Sequence, residues 1–471
     1  LVLGKYVRVC KGAKIGAYSV IGDHCLVNEQ ASLKRSILWN HNYLGYETEL
    51  RGAILAHHNH LKSCVAVYEG AVLGEGCTVG SKAVIKPEIK IWPEKYIESG
   101  SVVNSSLVWG LRWGTTLFGR QGIEKIANLE FTPEFAARLG AAVGTILPEK
   151  SHLVVSTDHF LPTRVLKTAF VCGCLGAGVN VYDLGVMTTA VARHAVVLLQ
   201  AKSGVHLRLS PLNGENMRVE FIDGQGLTIN RDLERKLEQA FFTEEFRHMP
   251  AEHLGAIIRV DEAHRHYLEE IMKVTAAETI KQAAFRMVVA YDEGAVSLVL
   301  PALLSGLGCE ILTYRPEGAS RLRPWSLPER TAWAAELAQQ VKREGADLGV
   351  VIDQNGEHLI LVDEKGRILK EEQLLALLAL GILKYSPVKT IAVPVTAPHF
   401  YEEVVHAYQG KVVRTKANPR ALMEKVVEER LFPGGHERTH FQPAFDGIYS
   451  LAKLLELMAQ EKVGLSELVA A

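Results

Sequence analysis

The sequence lacks a hydrophobic run long enough to cross a membrane. A membrane-spanning helix needs about 18 or more apolar residues in succession, and even the apolar stretch at 374–383 reaches only about half that length. The start of the chain does not have the composition of a signal peptide either. The sequence therefore predicts a protein that has no membrane partner.

The chain also lacks an excess of charge of either sign. Its 52 Lys and Arg residues nearly balance 53 Asp and Glu residues, which gives a formal net charge of −1. Proteins that bind nucleic acid or anionic membranes usually carry a basic surplus. The composition therefore argues against nucleic acid as a partner.

Cysteine is scarce, with seven residues spread along 471. An odd number in a chain of this length gives no disulfide framework and indicates a reducing compartment, so we expect a cytoplasmic protein. Cys172 and Cys174 are two residues apart in a predicted helix. They would lie on different faces, which makes a metal pair improbable.

The length implies about three or four domains, and the apolar content of 48% is sufficient for their cores. The sequence starts at Leu1, inside a repeat and without a methionine. We therefore expect this chain to be part of a longer protein.

Residues 3–108 carry a repeat with a period of six. The phase shifts between residues 36 and 60 and returns at Leu61. A period of six fits a parallel β-helix with three short strands per coil, in which each aliphatic side chain stacks on the next coil. The pattern resembles the hexapeptide-repeat left-handed β-helix. The first repeated aliphatic residues are Leu3, Val9, Ile15, Ile21, Val27 and Leu33.

A histidine cluster, His57, His58 and His60, falls in the region of the phase shift. Some hexapeptide-repeat proteins are acyltransferases with a catalytic histidine, so this resemblance makes acyl transfer one hypothesis. The other interpretation places these imidazoles on a solvent-facing coil. We favour the surface interpretation, because nothing else in this segment indicates a site for an acyl donor.

From about residue 109 the pattern changes to alternating strands and helices, which is typical of an α/β fold with a mainly parallel sheet. Thr132 before Pro133 is a good helix start, with a capping side chain and proline at the first helical position. We predict three α/β domains at 109–250, 251–366 and 367–471, after the β-helix at 1–108.

The most informative segment lies at 346–358. Its apolar run at 348–352 predicts a buried parallel strand that delivers Asp353 to the carboxyl end, where open α/β sheets bind ligands. Asp353, Asn355 and Glu357 then alternate around a turn at Gly356. This spacing suits Mg²⁺, which prefers oxygen ligands. A polar loop that binds nothing is the alternative, and spacing alone favours it.

Several segments, in order, resemble the phosphohexomutases, the family of phosphomannomutase and phosphoglucomutase. They are a glycine-rich opening at 117–123, a helix start at 131–135, a strand at 181–185, a serine loop at 204–214, the loop at 347–366, and closing segments at 446–448 and 465–468. Together with the repeat, the chain resembles fusions of a mannose-1-phosphate guanylyltransferase with a phosphomannomutase. A nucleotidyltransferase domain would then precede Leu1, and a fourth mutase domain would follow Ala471.

The resemblance implies a serine that carries a phosphoryl group to a hexose phosphate, with Mg²⁺ offsetting the developing charge. Position assigns the carrier role to Ser210 and the metal to Asp353, Asn355 and Glu357. The substrate-binding positions would be His358, Gly434, Gly435 and His436.

The chain departs from the family pattern at most of these positions. Pro211 follows Ser210 where the family usually has histidine, and Asn355 replaces a carboxylate. His358 stands for an arginine and cannot form its bidentate fork. Glu124 and Lys125 stand where Arg-Gly is expected. We therefore expect Mg²⁺ binding to be doubtful and the mutase to be weakened.

Two main hypotheses follow, beside acyl transfer. The first is an active mutase that uses Ser210 and a metal at Asp353. The second is a module in a sugar-nucleotide pathway that binds a sugar phosphate or organises a homo-oligomer, with the β-helix packing subunits. We rank the second slightly higher.

Overall fold

The computed structural model describes residues 1–104, 106–107, 112–113, 117–119, 122–316, 322–385, 389–428 and 445–470. The chain forms two compact units, Leu1–Gly119 and Arg120–Ala471. In the described part, no helix combines the length and the apolar character needed to span a membrane.

The first unit is a β-helix of short parallel strands arranged in three sheets. Most neighbouring strands are 18 residues apart, as Val2 and Val20 are. Val20 pairs with Ile37 and Ile37 with Ile54, only 17 residues apart each time. The predicted phase shift therefore consists of two coils that are each one residue shorter, and the stack continues through it.

The strands of this unit are β1 (Val2–Leu3), β2 (Arg8–Val9), β3 (Lys14–Ile15), β4 (Val20–Ile21), β5 (Leu26–Val27), β6 (Ser32–Lys34), β7 (Ile37–Leu38), β8 (Tyr43–Leu44), β9 (Glu49–Arg51), β10 (Ile54–Leu55), β11 (His60–Leu61), β12 (Ala66–Val67), β13 (Val72–Leu73), β14 (Thr78–Val79), β15 (Val84–Ile85), β16 (Lys90–Ile91), β17 (Tyr96–Ile97), β18 (Val102–Val103) and β19 (Arg112–Trp113). The last strand pairs with β17 and lies beyond the predicted end of the repeat at residue 108.

The histidine cluster lies on the outside of the coils. His58 stacks on His41 with ring centroids 4.8 Å apart, and His60 stacks on Tyr43 at 4.3 Å. His41, His58 and His60 are exposed. This placement fits the surface interpretation of the cluster.

The second unit begins with a six-stranded sheet in the order β20-β24-β23-β21-β22-β25. Strands β21, β22, β23 and β25 are parallel, whereas β24 runs antiparallel to β23 and β20. The elements are β20 (Ile123–Ile126), α1 (Pro133–Ile146), β21 (His152–Thr157), α2 (Leu161–Gly176), β22 (Asn180–Val186), α3 (Thr189–Leu198), β23 (Ser203–Leu209), β24 (Asn216–Asp223), α4 (Arg231–Thr243) and β25 (Ile257–Arg259).

Helices α1 and α2 pack with their backbones in contact. A Cβ atom on Gly140 would lie 2.0 Å from the carbonyl oxygen of Phe170, so only glycine fits there. Arg247 then closes the carboxyl ends of both helices. Its guanidinium donates to the carbonyl oxygens of Gly144 and Leu147 at the end of α1 and of Ala177 at the end of α2.

A second sheet follows in the order β27-β26-β28-β29, with β29 antiparallel at its edge. The predicted strand at 348–352 is confirmed as β28, which is buried along its whole length. The elements are α5 (Ala263–Val274), α6 (Ala277–Ala283), β26 (Arg286–Ala290), α7 (Ala295–Gly306), β27 (Glu310–Thr313), α8 (Leu327–Glu344), β28 (Leu348–Ile352) and β29 (Leu359–Asp363).

The last part of the chain forms a parallel pair of strands and five helices within the described residues. They are α9 (Glu371–Tyr385), β30 (Thr390–Pro394), α10 (Phe400–Ala407), β31 (Lys411–Thr415), α11 (Pro419–Glu428), α12 (Gly447–Glu461) and α13 (Leu465–Ala470). One hydrophobic cluster joins α3, α5, α7, β28 and α12. The predicted fold class, α/β domains after a parallel β-helix, is confirmed; the boundaries at 108, 250 and 366 stay predictions.

Candidate functional site

Two of the predicted site residues directly follow strands of the second unit. Ser210 comes after β23, and Asp353 comes after β28. Each strand is parallel to at least one neighbour, so both residues lie at carboxyl edges, where α/β sheets bind ligands. A Cβ atom on Gly214, in the loop after Ser210, would lie 2.9 Å from the Cβ of Arg323. The serine loop therefore reaches the segment that leads into α8.

The Ser210 side chain is completely buried and hydrogen-bonded. Its hydroxyl donates to Glu124 Oε1 at 2.9 Å and accepts from Arg218 Nη2 at 3.2 Å. Arg218 Nε donates to the same carboxylate oxygen. A carboxylate thus lies directly beside the hydroxyl of Ser210.

The sheet register explains this grouping. Glu124 on β20 pairs with Arg218 on β24, and Arg218 pairs with Arg208 on β23. Arg208 lies two residues before Ser210. Three adjacent strands therefore bring Glu124 and Arg218 to the serine, although they are distant from it in sequence.

Asp158 shapes the loop that holds Ser210. It follows β21, accepts hydrogen bonds from the backbone N–H groups of Leu209 at 2.7 Å and Phe160 at 3.2 Å, and also accepts one from the Thr163 hydroxyl. Burial raises the pKa of Asp158 to about 7, although these hydrogen bonds oppose the rise. A buried carboxyl group thus fixes the backbone immediately before the serine.

Asp353 organises the loop that follows β28. Its Oδ1 accepts from the backbone N–H groups of Glu357 at 2.7 Å and His358 at 3.2 Å, and Gly356 has a φ of +74° that favours glycine. Ligand atoms of Asp353, Glu357 and His358 all lie within 4.8 Å of one another. This group, two oxygens and one nitrogen, could hold a metal ion.

Asn355, the third predicted metal ligand, faces another element. Its Oδ1 accepts from the backbone N–H of Thr189 at 3.1 Å, and its Nδ2 donates to the Thr189 hydroxyl at 2.6 Å. The amide therefore ties the loop to the start of α3, and His358 stands in the metal group where Asn355 was expected.

Arg208 connects the two edges. Its guanidinium lies 2.9 Å from Glu357 Oε2 and also donates to Glu220 from Nε at 2.8 Å. Burial opposes ionisation of Glu220, but Arg208 acts together with His206, Arg193 and Arg218 to lower the pKa of Glu220 to about 2. Burial raises the pKa of Glu357. The strand before Ser210 is therefore joined by an ion pair to the candidate metal group.

The remaining predicted substrate-binding residues, Gly434, Gly435 and His436, lie outside the described residues. In the sequence, Glu124 stands out only as a departure from the family pattern, and the predicted site lacked Arg208, Arg218 and Asp158. Arg208 could have been found from its spacing, because it lies two residues before Ser210 and side chains two residues apart on a strand point to the same face.

Comparisons with known proteins identify the second unit. Residues 115–248, 265–366 and 370–471 match the α/β/α domains I, II and III of phosphoglucomutase/phosphomannomutase. A phosphoglucosamine/phosphogalactosamine mutase from Sulfurisphaera tokodaii is 30% identical over 365 residues, which cover 75% of this chain and 79% of that protein. The chain belongs to the phosphohexomutase family.

Further relatives support the same family. A phosphoglucomutase/phosphomannomutase from Thermococcus kodakarensis is 29% identical over 365 residues, with 75% of this chain and 79% of that protein covered. The crystal structure of a phosphoglucomutase/phosphomannomutase family protein from Burkholderia thailandensis has the same fold. Its TM-score is 0.60 at 20% identity, and the match covers 74% of this chain and 77% of that one. Residues 1–108 match the GMPPB C-terminal domain.

Proposed function

We propose that this chain is a hexose-phosphate-binding module of a cytoplasmic sugar-nucleotide pathway, in which phosphoryl transfer through Ser210 has been weakened or lost. Family membership supports the substrate class, and the match of residues 1–108 to the GMPPB C-terminal domain supports the pathway. That match also supports a parent protein with a guanylyltransferase domain.

The observation that carries this proposal is the carboxylate of Glu124 beside Ser210, 2.9 Å from its hydroxyl. A phosphoryl group on Ser210 would place a dianion against this carboxylate. Two unit charges about 4 Å apart repel by roughly 4 kcal/mol at an effective dielectric constant near 20. Arg218 is the nearest compensating charge, and Glu124 already binds it.

Binding and turnover can be measured separately. Calorimetry should detect binding of mannose 1-phosphate, glucose 1-phosphate or glucosamine 1-phosphate, and Ser210→Ala should bind the same ligand within about threefold. Incubation with a hexose 1,6-bisphosphate and a divalent cation should give no isomerisation. Isomerisation that disappears in Ser210→Ala would overturn the proposal, and so would binding of none of these sugar phosphates.

An active mutase is the second candidate, and the group Asp353, Glu357 and His358 favours it. Mg²⁺ requires near-octahedral oxygen coordination, whereas imidazole suits ions such as Zn²⁺, so these donors fit a transition ion better than Mg²⁺. A bound ion would offset negative charge on the transferring phosphoryl group. Isomerisation with Zn²⁺ or Mn²⁺, but not with Mg²⁺, would support this alternative.

We also propose that the β-helix packs subunits of a homo-oligomer. Val20, Ile37 and Ile54 are stacked on the outer face of one sheet and are 36%, 37% and 38% exposed. In a two-fold contact this uncharged row can face its own copy without repulsion between like charges. Ile37→Glu with Ile54→Glu should lower the mass measured by light scattering. An unchanged oligomer, or a monomeric parent protein, would contradict this proposal.

A further inference from the structure

The side chain of Arg330 is buried, and it forms no ion pair with another described residue. Arg330 lies in the first turn of α8 and is 5% exposed. Its Nε and Nη1 atoms have no hydrogen-bond partner among the described residues. Arg247, in contrast, donates to three carbonyl oxygens, and Arg208 contacts two carboxylates. Among the arginines that the structure describes, Arg330 alone has two buried side-chain nitrogens without a hydrogen-bond partner.

Packing alone does not explain an arginine at this position. Arg330 continues the buried face of α8, and the other members of that face are aromatic or aliphatic: Trp333, Ala334, Leu337, Ala338 and Val341. Burying an unpaired charge costs several kcal/mol, and an apolar side chain of similar size avoids that cost. The Nε and Nη1 donors of the guanidinium are therefore free to bind an acceptor other than the described residues.

The position of Arg330 along α8 is at the carboxyl edge of the sheet. Leu337 packs over Gly349 of β28, since a Cβ there would lie 2.2 Å from a Leu337 methyl carbon. Arg330 precedes Leu337 by seven residues, about 10 Å along a helix. The short connection at 345–347 makes α8 antiparallel to β28, so moving towards the start of α8 means moving towards the end of β28. A distance of about 10 Å corresponds to about three strand residues. Arg330 is thus level with Ile352 and Asp353.

A second buried donor without a described partner lies just before α8. The indole Nε1 of Trp325 has no acceptor in the described part of the chain, and Trp325 is 2% exposed. Its ring contacts Trp333, one turn after Arg330, with centroids 4.8 Å apart. The Trp325 backbone N–H donates to Gln354 Oε1 at 3.0 Å. These donors therefore lie next to the loop that begins at Asp353.

We propose that Arg330 and the indole N–H of Trp325 form a binding site for the phosphate of a phosphate monoester. Both groups can only donate, and a guanidinium matches two oxygens of a phosphate. The dianion would supply the missing counter-charge at the edge where the serine loop and the metal group lie. The proposal rests on the proposed function, because it makes this the phosphate subsite for the bound hexose phosphate.

The variants Arg330→Met and Trp325→Phe test the site, with inorganic phosphate as the probe. In the wild-type protein, phosphate should raise the unfolding temperature, relative to chloride at equal ionic strength. Arg330→Met should unfold at the same temperature as wild type or higher without phosphate, and should lose at least about tenfold in phosphate affinity. Trp325→Phe should lose about two- to fivefold, the share of one hydrogen bond.

The control is Arg247→Met, which should unfold at a lower temperature and keep its phosphate affinity. Two results would overturn the proposal: Arg330→Met that binds phosphate as wild type does, or Arg330→Met that fails to fold, since the arginine would then have a structural partner. If wild type binds a hexose phosphate and Arg330→Met binds it equally well, this inference fails and the proposed function stands. If phosphate binding depends on Arg330 but no hexose phosphate binds, the proposed function fails alone.

Discussion

The hydroxyl of Ser210 donates a hydrogen bond to the carboxylate of Glu124 over 2.9 Å, and Arg218 donates to both groups. The resemblance to the phosphohexomutases assigns the phosphoryl-carrier role to Ser210, but the hydroxyl is part of an internal ion-pair network. We expect this network to make Glu124 a determinant of stability.

Glu124→Gln should destabilise the protein by roughly 2–3 kcal/mol, because Arg218 is almost completely buried and would lose its anionic partner. Urea unfolding of the full chain measures this change. Glu215 is exposed in the loop after Ser210 and provides the matched control. Glu215→Gln should change stability by less than about 0.5 kcal/mol. Equal stability of the Glu124 variant and the wild type would show that the ion pair does not hold Arg218.

His358→Ala should weaken binding of Zn²⁺ by about tenfold or more, since it removes one of the three donors of the candidate metal group. Asn355→Ala should keep most of the metal affinity but lower the unfolding free energy by roughly 1–2 kcal/mol, because the Thr189 N–H loses its acceptor. Calorimetry and urea unfolding separate the two effects. If Asn355→Ala weakened metal binding more than His358→Ala did, Asn355 would be a metal ligand.

Arg247→Ala should destabilise the second unit by roughly 2–4 kcal/mol, because three carbonyl oxygens at the ends of α1 and α2 lose a charged donor. Circular dichroism during thermal unfolding measures the loss. The neighbouring exposed Glu245→Ala provides the comparison. A loss below about 0.5 kcal/mol would show that solvent satisfies these helix ends equally well.

Asp446 predicts a pH dependence of stability. It caps α12, its carboxylate accepts the hydrogen bond of the Tyr267 hydroxyl, which lies 2.7 and 2.9 Å from the two oxygens, and burial raises its pKa to about 7. Because the folded-state pKa is above the unfolded value near 4, its contribution is complete below pH 4 and is lost as the pH rises to 7. Asp446→Asn keeps a capping oxygen and does not titrate.

The difference in unfolding free energy between Asp446→Asn and wild type should therefore change by roughly 1–3 kcal/mol between pH 4.5 and pH 7.5, in favour of the variant at the higher pH. Urea titrations at four pH values between these limits follow it. Parallel profiles for the two proteins would show that Asp446 keeps an ordinary pKa.

Local patterns in the sequence were sufficient to predict the fold. The repeat of period six predicted the stacked coils, and the apolar run before Asp353 predicted β28. Both are short-range signals, since side-chain spacing reports directly on the geometry of one strand.

The contacts that decide the chemistry depend on pairings between distant residues. Glu124 reaches Ser210 only through the antiparallel register of β20, β24 and β23. Asn355 turns to Thr189, 166 residues away, for hydrogen bonds that its spacing in the loop does not reveal. From the sequence alone, Arg330 would be taken for an exposed helix residue, whereas it is buried in the structure. The contacts of Glu124 and Asn355 and the burial of Arg330 all depend on long-range packing, which no local sequence pattern encodes.

The most direct test of the account is phosphorylation of Ser210. The full chain is incubated with a hexose 1,6-bisphosphate and Mg²⁺, Mn²⁺ or Zn²⁺ in turn, and intact-mass spectrometry counts the phosphoryl groups that it carries. The account predicts none, since the carboxylate of Glu124 lies directly beside the hydroxyl. One phosphoryl group per chain that is absent from Ser210→Ala would contradict it and would identify an active phosphohexomutase.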